Sequence, residues 1–279
     1  FAGFGLHFRA DGFRLVMAMI AAITWFFTTV QSIEYFNKLN GRNRNRYYMF
    51  MLWTLGATMA IFLSANLYTT FIFFEVMTFT SYVLVIHGES EKAIDASKSY
   101  LGFGVLGGLV TLMGLFMLQA NIGTLEMDQI LSAIQSSGTS YGMVLASGLL
   151  ILFGFGVKAG MYPLHTWLPK AYVAAPEPAT ALLSAVLSKA GIFGIFVVTG
   201  QILLHDYTWG LVILIAGTLT MLTGAMLAVF STNFKRTIAC SSMSQIGFIL
   251  VGTGMQAVLG EHNAIAVQGS VLHLVNHSF

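Results

Sequence analysis

The chain has 279 residues, of which 9% are charged and 56% are hydrophobic, and its formal net charge is +2. Soluble domains carry roughly 25% charged residues, so most soluble folds are excluded, because their cores could not bury so much apolar surface. A near-neutral balance also argues against a nucleic-acid partner, which requires clustered lysine and arginine. The composition predicts a polytopic integral membrane protein.

Nine stretches approach the length of about 20 apolar residues that a helix needs to cross a bilayer. No stretch alternates with a period of two, so helices are favoured over a β-barrel and the predicted fold class is all-α. The predicted spans are Phe13–Phe36, Tyr47–Leu63, Leu67–Ile86, Ser99–Ala120, Tyr141–Tyr162, Pro178–Gly200, Trp209–Phe230, Thr237–Met255 and Ala264–Phe279.

Basic residues in the connections support this threading, because lysine and arginine collect on the cytoplasmic side of membrane proteins. One set of alternate connections, 64–66, 121–140, 201–208 and 256–263, contains no lysine or arginine. The other set holds Lys38, Arg42, Arg44, Arg46, Lys92, Lys98, Lys170, Lys235 and Arg236. Arg9 lies before the first span and Arg14 lies at its start, on the opposite side. Two lysines, Lys158 and Lys189, remain inside predicted helices.

These buried lysines, together with Glu75 near the middle of the third span, are candidate functional residues. An ionisable side chain at the bilayer centre costs at least about 2.5–3.5 kcal/mol and marks a functional site by default. Burial favours the neutral amine of a lysine, whereas a nearby carboxylate favours the ammonium. Glu75 could therefore tune a proton-binding Lys158, although a structural ion pair between two helices is the alternative. Lys189 is too central to reach the membrane surface, which favours a hydrated internal path.

Two histidines near the end of the chain, His273 and His277, are four residues apart and share one helix face. They could be two relay points of a proton path, since histidine titrates near neutral pH. Hydrogen-bonded packing histidines are the alternative, and a haem site is disfavoured because axial ligands must come from facing sides.

All four prolines of the chain fall between the two buried lysines, from Pro163 to Pro178. Proline removes a backbone donor and interrupts helices, so we predict that the fifth helix breaks just after Lys158. Such a break at membrane depth is typical of a water-filled ion path. A re-entrant loop at the cytoplasmic surface is a second interpretation, and both can hold.

The sequence offers no cofactor or metal site. The single cysteine, Cys240, cannot form an internal disulfide or hold an iron–sulfur cluster, and no CxxC or GxGxxG motif is present. We therefore expect a chain that does not carry electrons. Because it begins at Phe1 and ends inside an apolar run at Phe279, we also expect a fragment of a longer protein.

Four ordered motifs resemble the antiporter-like, proton-translocating subunits of respiratory complex I, Mrp-type antiporters and membrane-bound hydrogenases. The resemblance covers almost the whole chain. The motifs are FFEVMTFTSYVLV at Phe73–Val85, FGVKAGMYPLHTWLPKAYVAAPEPATALLSAVLSKAG at Phe155–Gly191, FKRTIACSSMSQIGF at Phe234–Phe248 and HLVNHSF at His273–Phe279.

The resemblance implies roles for individual residues. Glu75 matches the fifth-helix glutamate that modulates the proton affinity of the seventh-helix lysine, which here is Lys158. Lys189 matches the central lysine of the eighth helix. His273 and His277 match polar residues of the eleventh helix that lead toward a lysine or glutamate of a twelfth helix, which this sequence does not include.

The family's architecture also implies an organisation for the chain. Phe13–Phe36 would be the third helix of a 14-helix-type fold built from two inverted five-helix repeats. Residues 47–200 would form the first repeat, with its broken helix near Lys158, and residues 209–279 would form part of the second. Lys170 departs from the family pattern, in which aspartate is common after HTWLP.

The sequence-based hypothesis is a proton-translocating, non-redox subunit of a redox-driven assembly similar to complex I or a membrane-bound hydrogenase. It would pump without catalysing a reaction itself, in a bacterial, archaeal or other energy-coupling membrane, beside other membrane subunits including antiporter-like paralogues. A Mrp-type sodium/proton antiporter subunit and a structural scaffold subunit are the alternatives. A small-molecule transporter is disfavoured, since no cluster of substrate-binding polar groups lies at mid-membrane.

Overall fold

A computed structural model describes residues 5–38 and 43–279 of the chain. The predicted loop residue Arg42 lies outside them. The α-helices are α1 Gly12–Lys38, α2 Arg44–Phe62, α3 Leu67–Val85, α4 Glu91–Ile122, α5 Met127–Ser137, α6 Tyr141–Ala159, α7 Trp167–Ala174, α8 Glu177–Leu182, α9 Ser188–Val197, α10 Tyr207–Val229, α11 Phe234–Val258 and α12 Ala264–Ser278.

Every predicted span contains a helix in the structure, which confirms the all-α membrane fold. Within the described residues, seven helical segments are long and apolar enough to cross a membrane. They comprise α1, α4, α6, α10 and α11, the segment Leu67–Gly88 that contains α3, and the segment Glu177–Ile202 that contains α8 and α9. The other two predicted spans coincide with α2, whose first turn carries two arginines, and α12, which has only 15 residues.

The largest differences from the sequence-based boundaries concern α4 and α5. α4 begins at Glu91 rather than Ser99, because the Ser90 side chain accepts a hydrogen bond from the Ala93 amide and caps a charged first turn. The predicted connection 121–140 contains α5, an 11-residue helix that buries Met127 and Ile130. Both additions are polar or short, so an apolar-length criterion does not detect them.

The two predicted sets of connections lie at opposite ends of the helix bundle, and contacts within each set hold them there. At the basic end, Arg46 pairs with Glu89 at 2.5 Å and Lys235 pairs with Glu177 at 3.0 Å. At the other end, the segment before α1 bonds α5, which lies within the predicted connection 121–140, through an Arg9–Asp128 ion pair. We name this second end the outer end, following the distribution of basic residues.

The helix that carries Lys158 is interrupted, as predicted. α6 ends at Ala159 with Gly160 in the left-handed region at φ 79°, and the chain resumes as α7 only at Trp167. Other elements satisfy part of the exposed backbone, since Trp167 Nε1 donates to the Val157 carbonyl at 2.8 Å and Thr220 Oγ1 accepts from the Tyr162 amide at 3.0 Å. Such bonds make irregular backbone tolerable at membrane depth.

A second interruption precedes the other buried lysine. Between α8 and α9 the chain forms a π-helical turn, Leu183–Leu187, which ends two residues before Lys189. A second π-helical turn, Val198–Ile202, follows α9. π-Turns within helices widen the backbone and frequently occur at functional sites.

Candidate functional site

Lys158 is 3% exposed, and its ammonium is bound by hydroxyl groups. Nζ donates to Tyr100 Oη on α4 at 2.6 Å and to Thr78 Oγ1 on α3 at 3.2 Å. The Phe74 ring centroid lies 6.0 Å from the same nitrogen. The site thus holds an ionisable group with hydroxyl partners inside an apolar core.

Glu75 lies close enough to Lys158 for their charges to interact, but the two do not form a contact ion pair. Among the described residues, no nitrogen–oxygen distance of 4.0 Å or less joins these two side chains. Oε1 of Glu75 is buried and has no hydrogen-bond partner in the described structure. The structure therefore shows the carboxylate apart from the lysine.

Two glycines of α4 leave room for the side chains of Glu75 and Thr78 on α3. A Cβ atom added at Gly108 would lie 2.7 Å from Cδ of Glu75, and one added at Gly104 would lie 2.6 Å from Cγ2 of Thr78. Both distances are shorter than real Cβ contacts. Glu75 and the hydroxyl partner of Lys158 thus occupy adjacent glycine-lined positions one helical turn apart.

Lys189 is 1% exposed and has a different set of partners. Its Nζ bonds the Ser184 carbonyl at 2.5 Å and lies 2.8 Å from Nδ1 of His277 on α12. Oγ of Ser184 lies 2.8 Å from Oγ of Ser242 on α11, which extends the polar cluster to a third helix. The predicted lysine and one predicted histidine are therefore in direct contact.

The second predicted histidine is not bonded to this cluster. His273 stacks obliquely on Phe248, with ring centroids 5.5 Å apart, and its buried Nε2 has no hydrogen-bond partner within the described ranges. His277 thus contacts the lysine, whereas Nε2 of His273 has no polar partner in the described residues.

The helices that carry the two lysines pack directly against each other beside them. A Cβ atom at Gly191 of α9 would lie 2.6 Å from the amide nitrogen of Ala159 in α6. Gly191 is two residues from Lys189, and Ala159 directly follows Lys158. The close backbone approach therefore joins the two lysine sites through one packed interface.

One cavity reaches the partners of Lys189, a second lies one helical turn from Tyr100, and both include residues of the basic end. One, of about 620 Å³, is lined by Ser184 and His277, the two partners of Lys189, together with the Glu177–Lys235 pair. The other, of about 610 Å³, includes Ala96, one helical turn before Tyr100. Its charged lining is Lys92, Asp95, Lys170 and Arg236.

His165 also lines the second cavity, and its buried Nδ1 has no hydrogen-bond partner in the described part of the chain. Burial lowers the pKa of His165, so the imidazole is neutral at neutral pH. The net charge of the cavity wall at neutral pH is therefore positive.

The sequence did not indicate several partners of the buried lysines. Tyr100, Thr78 and Ser242 are ordinary residues of apolar spans, and only tertiary packing brings them to the lysines. Tyr100 could have been identified as a partner of Lys158 only from the distance between α4 and α6. A single sequence does not give that distance.

Comparisons with known proteins identify the family of the chain. A family profile described as "NADH:quinone oxidoreductase/Mrp antiporter, TM" matches residues 64–279. Hydrogenase-4 component B of Escherichia coli (strain K12) is 29% identical over 98% of this chain and 41% of its own length. A Na(+)/H(+) antiporter subunit of Alkalihalophilus pseudofirmus is 29% identical over 99% of this chain and 54% of its own length.

A solved structure shares the fold. A chain of the Mrp complex from Dietzia sp. DQ12-45-1b superposes with a TM-score of 0.87 at 24% identity, covering 99% of this chain and 50% of that one. The present chain spans about half the length of the curated relatives it matches.

Proposed function

Because the chain belongs to the NADH:quinone oxidoreductase/Mrp antiporter transmembrane family, we propose that it is the proton-translocating, non-redox membrane part of a subunit in a redox-driven assembly similar to complex I or a hydrogenase. One observation carries the proposal: Lys158 and Lys189 are both buried, both contact neutral polar groups, and both lie on helices interrupted beside them. Stability alone is a weak reason to bury such charges, since desolvation is costly.

In this proposal protons enter from the cytoplasm, which the basic end faces, and reach Lys158 beside the cavity lined by Ala96. They move through water to Lys189 and its ligand His277, with His273 further along α12, and leave through segments outside this sequence. The chain itself needs no cofactor for this transfer. The Glu75 carboxylate is the element that changes the proton affinity of Lys158.

The distance between Glu75 and Lys158 sets how strongly the carboxylate changes the proton affinity of Lys158. At an effective dielectric of about 20, moving a charge from about 4 Å to about 8 Å changes the interaction by roughly 2 kcal/mol. That change alters a proton-binding equilibrium by about 30-fold. A neighbouring subunit that shifts α3 relative to α6 would therefore bias proton transfer without redox chemistry in this chain.

We further propose that residues 47–200 form one five-helix repeat and residues 209–279 part of a second, inverted one. The first would comprise α2, α3, α4, the interrupted α6–α7 and the α8–α9 segment. The second would begin with α10, α11 and α12. An odd number of crossings per repeat supports an inverted relation between them.

The experiment that tests the function uses the whole complex in proteoliposomes, with proton flux measured after Lys158→Met. The expected result is loss of flux with assembly retained. Lys98→Met is the matched control, because Lys98 is an exposed lysine of α4 that lines neither cavity, and its flux should equal that of the wild type. Wild-type flux in Lys158→Met would contradict the proposal.

A Mrp-type cation/proton antiporter subunit remains the second candidate, since the two relatives described above are equally identical to this chain. The subunits that copurify with the full-length protein distinguish the two candidates. Hydrogenase-like or quinone-reducing subunits support the redox-driven assembly, and a set of small antiporter subunits with sodium-dependent flux supports the other. A scaffold subunit predicts normal flux in the lysine variants.

A further inference from the structure

Tyr100 is the nearest partner of the Lys158 ammonium. Its hydroxyl lies 2.6 Å from Nζ, whereas Thr78 Oγ1 lies at 3.2 Å and the Glu75 carboxylate does not come within 4.0 Å. Tyr100 itself is 2% exposed. The lysine is thus held by a group that carries no charge, although a carboxylate lies in the same core.

The hydrogen atoms around Tyr100 can be assigned from donor and acceptor chemistry. An ammonium has no acceptor, so Lys158 donates to the tyrosine oxygen. The tyrosine hydrogen is then free for Ser81 Oγ at 2.5 Å, and Ser81 in turn donates to the Met77 carbonyl at 2.5 Å. Every hydroxyl in this chain of bonds has a donor and an acceptor role, so the Tyr100 oxygen is set to receive the lysine.

Packing fixes the tyrosine ring in this position. The Trp167 ring meets it edge-on, with centroids 5.0 Å apart and planes at 75°. Trp167 is anchored by the bond from Nε1 to the carbonyl of Val157, the residue before Lys158. The interruption between α6 and α7 therefore positions both the lysine and the tyrosine that binds it.

Glu75 is the competing partner for the same ammonium. It lies on α3 one turn before Thr78, and its carboxyl group occupies the space over Gly108 of α4. A carboxylate in contact with an ammonium stabilises the charged form of lysine, whereas a hydroxyl does so far less. Which of the two holds Lys158 therefore determines how firmly its proton is bound.

Charged and titratable groups on the other packed elements do not replace this pair. α9 carries Lys189, whose ammonium bonds Ser184 and His277 instead. α7 carries exposed Lys170 and buried Tyr172, and His165 lies in the connection before it. In the described structure, Nζ of Lys158 donates hydrogen bonds to Thr78 and Tyr100 alone.

We propose that Tyr100 is a positioning residue that holds the Lys158 ammonium away from Glu75, so that its hydroxyl sets the pH at which Lys158 releases its proton. The inference rests on the proposed function, in which Lys158 exchanges protons. Without the hydroxyl, the ammonium turns to the Glu75 carboxylate and retains its proton to higher pH.

The test measures the pH profile of ion translocation by the whole complex in proteoliposomes. Tyr100→Phe removes only the hydroxyl, and the pH of half-maximal translocation should rise by about one unit, because contact with the Glu75 carboxylate stabilises the ammonium by more than the lost hydroxyl bond did. Tyr47→Phe is the matched control, because Tyr47 is a fully buried tyrosine whose hydroxyl has no hydrogen-bond partner in the described residues. Its profile should overlie that of the wild type.

A double variant shows whether Glu75 is the competitor. In Tyr100→Phe with Glu75→Gln, the competing carboxylate is absent, so the alkaline shift caused by Tyr100→Phe should disappear relative to Glu75→Gln alone. If Tyr100→Phe does not assemble, Ser81→Ala, which removes the acceptor of the tyrosine hydrogen, should shift the profile in the same direction by a smaller amount.

Two results separate failure of this inference from failure of the proposed function. Wild-type flux in Lys158→Met overturns both. Loss of flux in Lys158→Met together with an unshifted profile in Tyr100→Phe, whether or not the rate falls, overturns the role of Tyr100 alone, because a merely structural tyrosine changes the rate without moving the pH profile.

Discussion

The contact between Lys189 and His277 is the most specific arrangement at the scale of single residues. The two nitrogens are 2.8 Å apart, and Ser184 supplies the second bond to the ammonium. His273 lies one turn earlier on α12, with its buried Nε2 free of hydrogen bonds in the described residues. The sequence places the two histidines on one helix face, but only one of them contacts the lysine.

This difference leads to a prediction for alanine variants of the two histidines. His277→Ala removes a direct ligand of a buried charge and should lower the translocation rate of the complex about tenfold, the effect of a hydrogen bond to a charged group. His273→Ala should lower it less than about twofold. Rates in proteoliposomes at matched protein levels measure both. Equal losses in the two variants would count against a specific role for His277.

At the scale of helices, the close approach of α3 and α4 positions Glu75. The carboxyl group lies over Gly108, where a Cβ atom would come within 2.7 Å of Cδ. Gly102 of the same helix is exposed, and a Cβ atom placed there would have no neighbour within 4 Å. The two glycines therefore form a matched pair that differs in contact with Glu75.

Gly108→Ala should displace the Glu75 carboxylate and change the translocation rate severalfold, while the complex remains assembled. Gly102→Ala should leave the rate unchanged and should not lower the thermal stability, since alanine is the better helix former by about 1 kcal/mol. Translocation and thermal unfolding of the purified complex provide the measurements. A Gly108→Ala complex with wild-type translocation would show that the position of Glu75 does not control the lysine.

The positions of the membrane-spanning helices were the feature best predicted from the sequence. Apolar runs of about 20 residues identify membrane spans because lipid imposes that length, and the prolines located the break after Lys158. α5 and the charged start of α4 were not predicted, since capping by Ser90 and burial of Ile130 depend on local bonds and tertiary contacts. The lysines could be recognised from their cost in lipid, but their hydroxyl partners could not, because Tyr100 is 58 residues from Lys158 in sequence.

At the scale of the whole molecule, one packed interface joins the two lysine sites. α6 and α9 touch through Gly191 beside Ala159, and each lysine lies at an interruption of its helix. The family resemblance predicts that Lys158 and Lys189 follow one another along a proton path. The structure adds the contact between the helices, and it places Glu75 apart from Lys158 instead of in a contact ion pair.

The central claim is that Lys158 and Lys189 act in series, and proton flux through the whole complex in proteoliposomes tests it most directly. Lys158→Met, Lys189→Met and the double variant should all reduce flux to the same background level, because one break stops a path in series. Lys189→Met with the flux of the wild type, beside a Lys158→Met complex that conducts none, would contradict the account.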